Sequence, residues 1–256
     1  MTPITNSIIK QVSALGVAKH RRAEQLFVAE GTRCVTELLP LLKCRMLIAT
    51  EEWLTEHKEQ GANAGDIYVA TEVQIKKMSQ QQSPQPVLAV FDMPHTELDL
   101  NAVVSSELVL ALDSVRDPGN MGTIVRLADW YGIKHILCST DTVDVYNPKV
   151  VQATMGAIGR VSMHYINLAE ALAQIDAPVY GTFLDGDNIY QTTLTPTGVI
   201  VMGNEANGIS AQVAQRVDHR LFIPPYPPAA DTVESLNVGV AAAITVSEFR
   251  RRLLNP

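Results

Sequence analysis

The chain has 256 residues, 46% hydrophobic and 18% charged, which suits a well-packed globular protein of one large or two smaller domains. Its longest apolar runs, such as 108–112 and 198–202, are too short to span a bilayer, and its N-terminus lacks the basic-then-apolar pattern of a secretory signal. A net charge of −7 argues against a purely electrostatic nucleic-acid binder, and three widely spaced cysteines (Cys34, Cys44, Cys138) argue against a zinc site or disulfide frame and for a reducing cytoplasm.

In chain order, residues 7–19 place Ile8, Ile9, Val12 and Leu15 on one helical face. Short strands follow at 26–29, 46–49, 67–69 and 87–91. Between them lie helices after Thr32, at 51–60 and at 72–79, the last capped by Thr71. Alternating strands and helices make this an α/β unit of about ninety residues. The N-terminal end is locally basic: from Lys10 to Arg45 there are seven basic residues (Lys10, Lys19, Arg21, Arg22, Arg33, Lys43, Arg45) against three acidic. Such a run is also what a solvated helix face gives. Residues 92–106, polar and without helical periodicity, read as a linker, so domains of 1–95 and 96–256 are expected.

The second unit opens with Leu108-Val109-Leu110-Ala111-Leu112, apolar enough for a strand buried on both faces. Asp117 as N-cap with Pro118 at the first helical position starts a helix that Gly132 ends. Further strands are expected at 134–138, 161–166, 178–184, 198–203 and 220–223, and helices at 148–157, 168–175, 209–216 and 237–253. That order predicts a mostly parallel sheet covered on both sides, with ligands beyond the C-terminal strand ends.

Three clusters follow predicted strands. The first is Asp117-Pro118-Gly119-Asn120-Met121-Gly122 with Arg126, an amide on the first helical turn and a planar cation suited to phosphate. The second is Val201-Met202-Gly203-Asn204-Glu205-Ala206-Asn207-Gly208-Ile209-Ser210, a carboxylate and amides in a turn between a strand and a helix. The third runs from Ile223-Pro224 to Ser235-Leu236-Asn237, where Ser235 stands as a helix N-cap. Taken singly, each is also what a capped helix with a surface arginine, or an ordinary polar turn, would give. Neither GxGxxG nor a Walker-type phosphate loop occurs, which weighs against a dinucleotide-dependent oxidoreductase. The six histidines fit no metal spacing, and no nucleophile elbow is present, so neither a metal nor acyl-enzyme chemistry is expected.

Together the clusters resemble the three motifs of the SpoU-type RNA ribose 2'-O-methyltransferases, within the SPOUT superfamily and its TrmH-like family. The matching residues are Pro118-Gly119-Asn120, Gly122 and Arg126; Gly203-Asn204-Glu205 and Gly208; and Ile223-Pro224 with Glu234-Ser235-Leu236-Asn237-Val238. A fourth patch, Asp144 to Lys149 leading to Thr154-Met155-Gly156, is also similar. The N-terminal unit resembles, through Phe27-Val28-Ala29-Glu30-Gly31, the small L30e-like domain that binds substrate in such enzymes.

The resemblance implies an α/β fold with a deep C-terminal trefoil knot and a homodimer in the cytoplasm. It also implies S-adenosyl-L-methionine held by Gly203, Ile223 and Leu236, with Met202, Asn204 and Gly208 beside them. Catalysis would fall to Arg126, Asn120, Glu205, Ser235 and Asn237. Arg126 is an awkward base because a guanidinium gives up its proton only with great difficulty, so phosphate binding and orientation of the ribose hydroxyl suit it better. Asn120 would support Arg126, and Glu205 or a substrate phosphate would take the proton. Lys19, Arg21, Arg22 and Arg33 would grip RNA, ribosomal RNA ahead of transfer RNA. One departure stands out: Pro225 to Val233 is longer than the family's segment, rich in proline and without glycine. It leaves open a non-catalytic RNA-binding protein that keeps the fold.

Overall fold

The computed structural model describes residues 2–227, Val233 and 235–254, and the chain divides into two compact units. One comprises Met1–His95 with Asp144–Arg160, the other Thr96–Val143 with Val161–Pro256. Among the described residues no helix is long and apolar enough to cross a membrane.

The first unit begins with β1 (Thr2–Pro3), α1 (Asn6–Ala14), α2 (Ala18–Glu24), β2 (Leu26–Glu30), α3 (Thr32–Leu38) and β3 (Cys44–Ala49). It continues through α4 (Glu51–Glu56), α5 (Lys58–Gly61), β4 (Asp66–Val69), α6 (Glu72–Met78) and β5 (Val87–Asp92). The strands form one mixed sheet in the order β1-β4-β3-β5-β2, with β5 antiparallel to both its neighbours. Ile9, Val12, Ile48, Ile75, Met78 and Leu88 pack into one core on its face. Thr71 and Gln74 close a capping box at the start of α6, which satisfies two otherwise orphaned N–H groups.

The helix expected over 7–19 is instead two. α1 stops at the Leu15-Gly16 pair, α2 follows, and Gln25 at φ 54° ends it. The backbone N–H of Gln25 closes that turn onto Arg21, and β2 starts at once.

The second unit holds α7 (Leu100–Ser106), β6 (Leu108–Leu112), α8 (Pro118–Trp130) and β7 (His135–Cys138). After α9 (Pro148–Thr154), which belongs to the first unit, come β8 (Ser162–Tyr165), α10 (Leu168–Leu172), β9 (Val179–Asn188) and β10 (Gly198–Met202). The chain then passes through α11 (Ala211–Ala214), β11 (His219–Phe222) and α12 (Val238–Leu254). All six strands are parallel, in the order β11-β9-β10-β6-β7-β8. Every residue of β6 and β10 is buried, as a sheet covered on both faces demands.

The expected linker at 92–106 contains a helix, α7, capped by the Asp99 carboxylate, which accepts from the N–H of Ala102 at 3.1 Å. Only Val104 in it is fully buried, so two turns carried too little periodicity to read. β9 also runs four residues past its expected end. Its register with β11 jumps there: Arg220 pairs with Gly181 but Leu221 with Asp187, so 182–186 bulges out of the ladder.

Candidate active site

Parallel strands bring their C-terminal ends to one edge of the sheet, and β6, β10 and β11 each release a motif cluster there. After β6, Asp113 is buried. Its N–H bonds Met202 O at 2.9 Å, and its carboxylate accepts the N–H of Ser210 at 2.7 Å, fixing the β6 and β10 loops to each other.

Ser114 follows at φ 59°, a left-handed conformation that costs a non-glycine residue about 1–3 kcal/mol. Three hydrogen bonds hold it there. Its N–H donates to Ser139 Oγ at 2.8 Å, its hydroxyl to Asp141 at 2.7 Å, and its carbonyl accepts from Asn204 Nδ2 at 2.7 Å. Asp141 also receives the Ser139 hydroxyl and the Arg116 guanidinium. The hydroxyls of Ser114 and Ser139, and then Arg116, draw its pKa down to about 2.

At the start of α8, the Asp117 carboxylate accepts from the N–H of Asn120 at 2.8 Å, an N-cap worth about 1 kcal/mol. The β10 cluster is a turn closed by paired backbone bonds between Asn204 and Gly208, both 2.9 Å. Asn204 Oδ1 accepts from the N–H groups of Ala206 and Asn207. Glycine is required at 203, since a Cβ there would lie 2.3 Å from backbone atoms of Gly208 and Ile209. Gly208 sits at φ 67°.

The three clusters meet through side chains. Asn237 Nδ2 donates to Asn120 Oδ1 at 2.8 Å, and Asn120 Nδ2 donates to Glu205 Oε1 at 2.9 Å. The N–H of Asp117 reaches the same oxygen at 3.4 Å, and Asn204 Nδ2 the other oxygen at 3.3 Å. Residues 117 and 85 positions apart thus share one chain of bonds, which sequence spacing could not announce. The helix cap falls on Asn237 rather than Ser235, because Asn237 Oδ1 accepts from the N–H groups of Gly239 and Val240. Ser235 is exposed and makes no hydrogen bond among the described residues.

Arg126 is exposed on α8, and its guanidinium has no hydrogen bond or ion pair among the described residues. The expected support from Asn120 is absent, because both ends of the Asn120 amide are taken by Glu205 and Asn237. Met202 and Gly203 are buried at the end of β10, Ile223 is half-buried just past β11, and Leu236 is 47% exposed. Part of the unusual proline-rich segment, Pro228 to Thr232, lies outside the described residues, as does Glu234.

Thr182, which the sequence did not single out, brings its hydroxyl to 3.9 Å from Met202 Sδ and adds the β9 loop to the same edge. Asp113 was also missed, although an acid ending an apolar strand is a legible signal.

Of the four expected RNA-gripping cations, Lys19, Arg22 and Arg33 are exposed and Arg21 is not. Arg21 is 2% exposed, bonds the carbonyls of Leu15 and Gly16 at 2.9 Å each, and pairs with Asp144 at 2.6 Å. Its role is to tie α1, α2 and the 144–160 segment of the first unit together, so it leaves the list of phosphate contacts.

Residues 107–247 match the SpoU rRNA Methylase family, and residues 6–89 match the MRM3-like substrate binding domain. A 23S rRNA guanosine 2'-O-methyltransferase from Bacillus subtilis is 30% identical over 251 residues, 96% of each chain. A solved TrmH-family structure from Porphyromonas gingivalis is 40% identical with a TM-score of 0.85, over 97% of this chain and 99% of that one. An AdoMet-bound rRNA methyltransferase from Sinorhizobium meliloti is 30% identical with a TM-score of 0.86, over 100% of this chain and 98% of that one. With its three clusters bonded into one site and both parts of its length matched, the chain belongs to the SpoU rRNA methylase family.

Proposed function

We propose that this protein is an S-adenosyl-L-methionine-dependent RNA methyltransferase acting on a ribose 2'-OH of ribosomal RNA, with 23S rRNA first among candidates. The observation that carries it is the Asn237–Asn120–Glu205 chain of hydrogen bonds at the C-terminal edge of an all-parallel sheet. Relatives named as 23S rRNA 2'-O-methyltransferases and the AdoMet-bound neighbour support the reaction and the methyl donor.

The donor fits the residues present. Leu236 and Ile223 leave apolar surface uncovered at the ends that flank the site, as a purine face requires. Met202, Gly203, Asn204 and Gly208 supply a tight backbone turn whose geometry side chains do not obstruct. When bound, the donor supplies an electrophilic methyl group on a sulfonium.

The rest of the chemistry belongs to the chain. Arg126, whose guanidinium is exposed and has no partner among the described residues, binds the phosphate next to the target ribose and orients the hydroxyl. A guanidinium is a poor proton acceptor, so the proton goes elsewhere. Glu205, held in place by Asn120, accepts the hydroxyl proton directly or through the substrate phosphate. Asn237 fixes the start of α12 against α8, and Ser235, whose hydroxyl has no partner among the described residues, contacts the substrate.

Lys19, Arg22 and Arg33 bind RNA phosphates from the first unit, which we assign, over residues 1–95, as an L30e-like substrate-binding domain. Residues 96–256 form the methyltransferase domain, with a trefoil knot in its C-terminal part, for which the non-consecutive strand order is the support. A homodimer in the cytoplasm completes the reading. Its support is the exposed stripe of α8 in which Trp130 is 84% exposed beside Arg126.

The test is Arg126→Ala with unmodified ribosomal RNA and radiolabelled donor. Methylation should fall to background while donor binding by calorimetry is unchanged. Wild-type methylation by the variant would remove Arg126 from the mechanism.

A further inference from the structure

Outside the active site, the first unit contains a polar cleft of about 350 Å³ with a mixed chemistry. That is more than ten times a water molecule's ~30 Å³ share of liquid volume and within the size of ligand pockets. Its walls are the Gln80-Gln81-Gln82 loop on one side and Lys149 and Gln152 of α9 on the other, with Val28 and Pro148 supplying apolar surface.

The loop is built, not loose. The Glu30 carboxylate is buried and spends both oxygens on it, taking the Ser79 hydroxyl at 2.6 Å and the N–H of Gln80 at 2.8 Å. The N–H of Gln81 then bonds Ser79 Oγ at 3.0 Å. With its oxygens engaged, Glu30 acts as a brace for the loop.

Across the cleft, the amides of Gln81 and Gln152 share one hydrogen bond of 2.7 Å. Whichever way the two amides are turned, one bond between them leaves one carbonyl oxygen and one NH₂ group, on two amides in contact, without a hydrogen bond to another described residue. An adjacent acceptor and donor match the hydrogen-bonding edge of a nucleobase. The Lys149 side chain is exposed, with no hydrogen bond or ion pair to another described residue, and stands at the same rim.

RNA is read in sequence chiefly where bases are unstacked and turned outward, so that their edges are free. We propose that this cleft receives one unstacked base of the RNA substrate on the Gln81–Gln152 amide pair, with Lys149 on a neighbouring phosphate. The proposal rests on RNA being the substrate and deepens that reading by naming a specificity site separate from the reacting groups.

The test uses the full-length protein and unmodified 23S rRNA made by transcription in vitro, with binding measured across a salt series. The double variant Gln81→Ala with Gln152→Ala should bind about tenfold more weakly with an unchanged salt slope, because it loses base-edge contacts and no charge. Lys149→Ala should instead lower the slope by about one. Donor affinity should be the same in all three.

Double-variant binding within about twofold of wild type, small against the discrimination expected of a base contact, would overturn the proposal. If the double variant loses folded stability, Gln81→Glu decides. It keeps a bond to the Gln152 amide, adds a negative charge at the base edge, and should also weaken binding; unaltered affinity would be equally fatal. Methylation of the same transcript is followed in parallel. A wild-type protein that binds but does not methylate overturns the proposed function, while the binding ratio alone judges the cleft.

Discussion

Asn120→Ala is the change that most directly tests how the site is assembled. It removes a bond to the Glu205 carboxylate at 2.9 Å and a bond from the Asn237 amide at 2.8 Å. A bond to a charged group contributes about 1.5–3 kcal/mol and a neutral one about 1 kcal/mol, and partial exposure argues for the lower ends. About 2.5 kcal/mol expressed in the transition state is close to a hundredfold in rate, the size also expected when a reacting group is misplaced by about an ångström. The N-cap bond uses the Asn120 backbone and survives, so α8 should still form. Steady-state methylation of unmodified ribosomal RNA should therefore show kcat down about a hundredfold, with donor affinity by calorimetry nearly unchanged. Combining Asn120→Ala with Glu205→Gln should cost less than the sum of the two, since both act through one bond. If Asn120→Ala kept kcat within about threefold of wild type, the bond chain would be a bystander and the positioning argument would fail.

Asp144→Ala should destabilise the protein by about 3 kcal/mol, the low end for breaking a buried pair, because it strands the 3%-exposed Arg21 side chain while Asp144 itself is 20% exposed. Urea unfolding measures this, and a loss under about 1 kcal/mol, the size of a surface pair, would show the pair to be unimportant. Glu248 is 5% exposed between Arg251 and Arg252, and the Arg251 hydrogen bond leads in lowering its pKa from 4.5 to about 2. A depressed carboxylate stabilises fully above its unfolded value, so this contribution is present above pH 4.5 and is lost as pH falls toward 2. Glu248→Gln should flatten the acid limb of stability in that window. An identical acid limb in wild type and variant would refute the assignment.

Much of this protein was legible before any coordinates. The Asp117-Pro118 start of α8, the doubly buried β6 and the strand-to-turn clusters are local signals, because caps, fixed prolyl φ angles and apolar runs act over a few residues. The resemblance of four ordered motifs carried the family. The short helices α2 and α7 were not legible, since two turns show too little periodicity.

What tertiary structure alone decided is which polar groups meet and which charges face water. Asn237 caps α12 and reaches Asn120, while Asn120 leaves Arg126 for Glu205. Arg21 and Arg22 are neighbours of the same type, yet one is sealed against Asp144 and the other is exposed. Residue type and spacing set the local conformation and the chemistry on offer. Contacts between residues 85 and 123 positions apart depend on how the chain returns on itself, and no short window of sequence contains that information.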